Sequence, residues 1–153
     1  MTAAVALLRF RLGGERFAIR ADSVVEVLPS AAVGSLPFPA GVVAGSLVVR
    51  GALLAVFDVR AALRLPERPL ALEDHFVVAQ TGGRTLVLVT EGVDDFVTAS
   101  AEALIPARML SERGPAGANV AQLADGTWAV LDLGSFLDAA ELQDLDVAIA
   151  SSA

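Results

Sequence analysis

Two pairs of adjacent glycines, Gly13-Gly14 and Gly82-Gly83, stand 69 positions apart in this chain. Each sits between short runs suited to strands. Leu8, Phe10 and Leu12 alternate with Arg9 and Arg11, and after the first pair Phe17 and Ile19 alternate with Arg16, Ala18 and Arg20. Alternation of this kind marks a strand with one apolar face, and Gly-Gly supplies the positive φ of a tight turn. Phe76 to Gln80 and Leu86 to Val89 repeat the arrangement around the second pair. At the same offset Phe17 and Ile19 fall on Leu86 and Leu88, and Val24 and Val27 fall on Val93 and Phe96. Further on, Val56 to Val59 (VFDV) matches Val130 to Leu133 (VLDL), with Leu63 matching Leu137, and Asp125-Gly126 supplies another hairpin turn. The chain reads as a duplicated small β unit, each copy ending in a short helix.

The stretch Gly45 to Leu65 gives the unit its second hairpin. Leu47 to Val49 and Ala52 to Phe57 read as strands, Arg50-Gly51 as the tight turn between them, and Asp58 as the cap of a helix carrying Val59, Ala62 and Leu63. A structural cap is the expected role of Asp58 and of its counterpart Asp132. Arg50 is a lone charge in an apolar run, so it is either exposed or paired with a carboxylate. Glu26 is placed similarly, between Val25 and Val27 in a strand from Val24 to Leu28. The arginine-rich face of the first hairpin reads as a solvated surface.

Between these elements lie a constrained loop, Leu36 to Pro39, and a charged, proline-bearing linker, Pro66 to Asp74, read as the internal boundary. Leu133 to Leu145 places Leu133, Phe136, Leu137 and Ala140 on one helical face, predicting a C-terminal helix, and the last three residues read as frayed. The length of 153 residues suits one domain, or two small intertwined subdomains.

Composition removes whole classes of function. The net charge of −7 argues against nucleic-acid binding. With no cysteine there is no disulfide or thiolate metal site, and with no lysine there is no Schiff base or P-loop lysine. No cofactor or metal is expected. Arg9 and Arg11 interrupt the N-terminal apolar run, which therefore does not read as a signal peptide, and prolines and glycines break the uncharged run Leu28 to Val49, so no membrane insertion is expected. The chain reads as cytoplasmic. An apolar content of 55% exceeds the needs of one small core and points to an apolar contact surface. A catalytic alternative would be a small β-barrel hydrolase using His75, the sole histidine, beside Asp74. No GxSxG elbow accompanies it, and neighbours in a strand face opposite ways. A purely structural β protein is the other rival.

The segments FRLGGERFAIRADSVVEVL, LPFPAGVVAGSLVVRGALLAVFDVRAAL, VLVTEGVDDF and VAQLADGTWAVLDLGSFL, in that order, resemble the CheW-type coupling proteins of bacterial chemotaxis signalling. The resemblance runs from about Leu8 to Leu145. It implies a mostly β fold: two intertwined SH3-like five-stranded β-barrels with short helices and a C-terminal helix. It implies a single domain over 1–153, with subdomain 1 at about 17–65, subdomain 2 at about 75–132, and terminal segments packing across. The implied function is a non-catalytic adaptor linking chemoreceptor cytoplasmic tips to the regulatory domain of a CheA-type histidine kinase. The implied partner-binding residues are Val24, Glu26, Val49, Arg50 and Gly51. Glu26 and Arg50 are expected to form a direct or water-bridged salt bridge on the first barrel. Val48, Ala55 and Val89-Thr90 stand where the family usually has an asparagine, a proline and a Val-Asp pair. They mark a divergent member, which leaves open an adaptor that binds only receptor or only kinase, in a motility or other chemosensory pathway.

Overall fold

The computed structural model describes residues 3–34, 43–63, 65–66, 68–110 and 118–136. Eleven strands and three short helices follow one another along them. The strands are β1 (Ala4–Leu12), β2 (Glu15–Arg20), β3 (Val24–Pro29), β4 (Val43–Val49), β5 (Ala52–Phe57), β6 (His75–Thr81), β7 (Arg84–Thr90), β8 (Gly92–Ser100), β9 (Leu104–Pro106), β10 (Ala118–Leu123) and β11 (Gly126–Leu131). The helices are α1 (Val59–Ala62), α2 (Ala107–Leu110) and α3 (Leu133–Phe136). The C-terminal helix expected to reach Leu145 is described only as far as Phe136; the remainder, like the Leu36 to Pro39 loop and the last three residues, lies outside the described residues.

Three hairpins turn through the left-handed region. Gly13 and Gly14 have φ of 59° and 77°, Gly82 and Gly83 of 56° and 78°, and Arg50 and Gly51 of 49° and 82°. Positive φ at both central residues is the geometry whose twist matches that of the flanking strands. The fourth hairpin turns differently. Leu123 pairs with Gly126, so Ala124 and Asp125 are its central residues and Gly126, at φ 128°, opens the next strand. Asp58 caps α1 as expected, its carboxylate accepting from Ala61 N at 3.1 Å.

The strands form two sheets, in the orders β8-β1-β2-β11-β10-β9 and β3-β6-β7-β5-β4. These are the intertwined SH3-like barrels, called here the second and the first. The duplication holds strand by strand. Leu131 pairs with Ile19 across the parallel β11–β2 ladder, as Phe57 pairs with Leu88 across β5–β7. Phe10 pairs with Val93 as Ala79 pairs with Val24, each beside a register shift. The three-residue β9 gives the second barrel a sixth strand where five were expected.

The partition of the chain follows exchange rather than contiguous halves. The β6–β7 hairpin, within the range 75–132, lies in the barrel of β3, β4 and β5, while β1–β2 lies with β10 and β11. Each barrel therefore takes its Gly-Gly hairpin from the other sequence copy. Pro66 to Asp74 joins two strands of the same barrel and is no boundary. The chain crosses between barrels at the short 3-10 turn Ala21–Ser23 and at Glu91.

Exchange buries β1 between two neighbours, and its two faces serve different cores. Val5 and Leu7 join Ala18, Ala99, Ala121 and Val130 inside the second barrel. Leu8, Phe10 and Leu12 join Phe17, Phe57, Leu88 and others in a core shared by both barrels. The first barrel has its own filling of Val56, Phe76, Val78 and Val87. The expected solvated arginine face is corrected at Arg9. It lies on the barrel-facing side with Leu7 and is 9% exposed, because β8 covers an edge that a free hairpin would leave open.

Candidate functional site

Glu26 on β3 and Arg50 at the β4–β5 turn belong to opposite edges of the first barrel's sheet. Arg50 reaches across and donates from Nε to Glu26 Oε1 at 3.0 Å and from Nη2 to Oε2 at 2.7 Å. The salt bridge expected between them is therefore direct and bidentate. The Arg50 side chain remains 80% exposed and that of Glu26 20%. The hydrogen bond from Arg50 holds the Glu26 carboxyl below its ordinary range, and the same bond raises the Arg50 guanidinium above its own. An exposed pair of this kind adds little stability. What it does is fix the plane of the guanidinium, whose Nη1 bonds to no described residue.

The pair closes one end of an apolar slot between the edges β3 and β4. Its volume is about 330 Å³, and Leu28, Pro29, Leu47, Val48 and Val49 line it with Glu26 and Arg50. Leu28, Leu47 and Val49 pack against the first barrel's core, while Val48 is 65% exposed. Beyond β3 the chain crosses to β4, where Gly34 and Ser46 exchange backbone hydrogen bonds of 2.8 and 2.9 Å. Gly45 permits that approach, since a Cβ there would run into the Gly34 carbonyl. The slot is thus a gap between two sheet edges, bounded by a backbone bridge and by an ion pair.

Of the five residues named from the sequence, Glu26, Val49 and Arg50 meet at this slot. Gly51 lies exposed at the turn, and Val24 packs partly buried against the shared core. Leu28, Pro29, Leu47 and Val48 were not named as partner-binding residues, because in the continuous apolar run Leu47 to Val49 nothing in the sequence marks which side chain faces outward.

The second barrel carries a counterpart. Asp95 on β8 stands where Glu26 stands on β3: Asp95 pairs with Arg9, and Glu26 with Val78, across equivalent ladders. Arg9 donates from Nε and Nη2 to Asp95 at 2.6 and 2.7 Å, and from Nη1 to both Asp125 oxygens at 2.8 and 2.7 Å. Its guanidinium lies 4.6 Å from the ring centre of Trp128, and Trp128 Nε1 donates to Asp125 at 3.0 Å. Arg9 holds the Asp95 carboxyl below the ordinary range; for Asp125 the Trp128 N–H leads and Arg9 adds to it. Where the second barrel has Arg9 and Trp128, the first has Val78 and Leu54. Arg9 and Trp128 are buried in the second barrel, and the slot beside Arg50 is on the first.

At the junction of the barrels a smaller cleft, about 190 Å³, is lined by Leu12, Val56, Arg60, Arg68, Asp74 and Glu91 among others. Its charges are spent on one another. Glu91 accepts from Arg60 Nη1 at 2.6 Å, from Arg68 Nε at 3.2 Å and from the Gly13 N–H. Burial pushes the Glu91 carboxyl up, but these donors together outweigh it and hold the group below its ordinary range. Asp74 is buried, bonded to Arg68 and accepting from Ala71 N at 2.8 Å. It is thereby committed away from His75, whose Nδ1 accepts from Val93 N at 3.4 Å. Among the described residues no three acidic or histidine side chains gather as a metal site, and no helix is long and apolar enough to cross a membrane.

Residues 6–141 match the family model of the CheW-like domain. The chain belongs to the CheW-like domain family. It is 26% identical over 105 residues to a Rhizobium etli protein described as a probable chemotaxis protein CheW, covering 69% of this chain and 68% of that one. It is 28% identical over 94 residues to a chemotaxis protein CheW of Rhizobium meliloti, covering 61% of each. The crystal structure of the scaffolding protein TtCheW from Thermoanaerobacter tengcongensis superposes with a TM-score of 0.78 over 90% of both chains, at 14% identity. At that identity the likeness speaks to the fold, and it confirms the paired-barrel CheW-like architecture.

Proposed function

We propose that this chain is a non-catalytic adaptor that couples chemoreceptor cytoplasmic tips to the regulatory domain of a CheA-type histidine kinase in the cytoplasm. The observation that carries the reading is the Glu26–Arg50 pair beside an open apolar slot on one barrel, within a CheW-like fold. An oriented arginine next to exposed aliphatic side chains suits protein recognition, where a buried anchor is flanked by polar contacts. The relatives named as chemotaxis CheW proteins support a chemosensory setting.

The test is capture of the cell's chemoreceptor cytoplasmic fragments and histidine kinases by the purified protein, each presented separately. Capture of both classes is expected. Capture of one class alone gives the narrower adaptor of a motility or other chemosensory pathway. Chemical turnover that disappears in His75→Ala would overturn the adaptor reading in favour of a hydrolase.

A further inference from the structure

The segment Pro66 to Asp74 runs along the cleft at the junction of the barrels, and the ties that hold it there are polar. Arg60, on α1, donates from Nε and Nη2 to the Pro66 carbonyl. Arg68 reaches Asp74 with Nη2 and Glu91 with Nε. Ser30 Oγ donates to the Leu72 carbonyl at 3.2 Å, and the Ala71 and Asp74 amides are satisfied within the segment itself. Its leucines add no anchor: Leu70 is 44% exposed, Leu72 is 93% exposed, and neither joins any of the three cores. One carboxylate links these ties to the barrels, because Glu91 takes Arg60 and Arg68 together and also the Gly13 N–H.

The other side of the cleft is built differently. Leu12, Val56 and Thr90 line it, are fully buried, and belong to laddered strands of the two barrels. Local opening is easiest where buried apolar contacts are few. Partly exposed ion pairs hold a segment less firmly than a packed core does. Arg68 and Glu91 keep 28% and 24% of their side-chain surface in contact with solvent.

We propose that Pro66 to Asp74 is a strap that opens as a unit and gates the junction cleft, with Glu91 as its latch. Loss of the Glu91 pairs with Arg60 and Arg68 frees the strap between its two anchored ends, α1 and β6. The apolar floor at Val56 and Leu12 then becomes reachable from solvent while both sheets stay formed. Opening needs no partner, so it stands apart from the adaptor reading.

The chain has no cysteine, so one introduced thiol reports access. Val56→Cys and Thr90→Cys each place a thiol on the cleft floor. Val87→Cys is the control: Val87 is equally buried and pairs with Val56 across the β5–β7 ladder, but it does not line the cleft. The rate of alkylation by iodoacetamide is measured for each thiol under native conditions, alone and with Arg68→Gln or Glu91→Gln added. When closing outpaces reaction, that rate follows the population of the open form. Arg68→Gln is expected to speed both floor thiols by about tenfold or more, the effect of losing a charge-assisted tie. Glu91→Gln is expected to speed them further, since it frees two arginines. The Val87→Cys thiol is expected to keep its slow rate throughout. Equal acceleration of the Val87→Cys thiol would make the opening one of the whole barrel and overturn the strap. So would floor thiols that neither change accelerates, or floor thiols that already react like free cysteine in the otherwise unaltered chain.

Discussion

Glu26 and Arg50 lie 24 positions apart and join the two edge strands of the first barrel through a fork of 3.0 and 2.7 Å. The pair is too exposed to carry the fold, and its geometry leaves part of the arginine aimed outward. Glu26→Ala and Arg50→Ala should therefore each weaken partner capture while moving the melting temperature by no more than about 2 °C. In the double variant the losses should fall short of additive, since each single change already frees the other group. Calorimetry alongside a binding titration checks both halves. If Glu26→Ala binds like the parent while Arg50→Ala does not, the arginine acts alone.

Gly51 adopts φ 82° with open space around the position a Cβ would take. A substitution there meets backbone strain and nothing else. Gly51→Val should cost about 1–2 kcal/mol or somewhat more, because a β-branched residue fits the left-handed region worst. That corresponds to a fall in melting temperature of roughly 2–8 °C, with weaker partner binding as the turn shifts. Gly51→Asn, which tolerates positive φ, should keep most of both. Unchanged binding in a folded Gly51→Val would remove the turn from the contact surface.

The duplication, the three hairpins with positive φ at both turn residues and the Asp58 cap were legible, because each is written locally or in a repeated spacing; the Glu26–Arg50 pair, 24 positions apart, followed only from the family resemblance. The exchange of Gly-Gly hairpins between barrels was not, since alternation in Leu8 to Leu12 is satisfied equally by either sheet. The burial of Arg9 was hidden for the same reason: its carboxylates are 86 and 116 positions away. A strand reading arginine on alternate positions looks two-faced until β8 is laid along it. Glu91 likewise gave no local sign that it marks the crossing between barrels, since its partners Gly13, Arg60 and Arg68 come from a turn, a helix and a linker.

Arg9 should behave unlike Arg50. It is buried, and removing it leaves Asp95 and Asp125 facing each other across the second barrel's mouth with no cation between them. Arg9→Leu should lower the melting temperature by several degrees and leave partner capture by the folded fraction near that of the parent. The drop is tempered because both aspartates are about half exposed and water can reach them. Restoring much of the lost stability in the triple change Arg9→Leu, Asp95→Leu, Asp125→Asn would locate the cost in the uncompensated carboxylates. Failure of that rescue would place it in lost packing against Trp128.

Acid should dismantle these ion pairs in a defined window. Glu26, Glu91, Asp95 and Asp125 all have carboxyls held below their ordinary range in the folded protein. A group whose folded pKa lies below its unfolded one contributes stability that is fully present above the unfolded value and is lost as pH falls through the folded one. The unfolded values lie near 3.9 for Asp and 4.3 for Glu, so the melting temperature should stay level between about pH 8 and 5 and drop steeply below about 4. In Arg9→Leu the Asp95 and Asp125 carboxyls lose their cation, and the acid limb should become shallower while starting from a lower plateau. Partner capture should follow Glu26 over the same low-pH range, and in Glu26→Gln that part of its pH dependence should vanish. A midpoint for the parent above about pH 6 would show that some other group governs the transition.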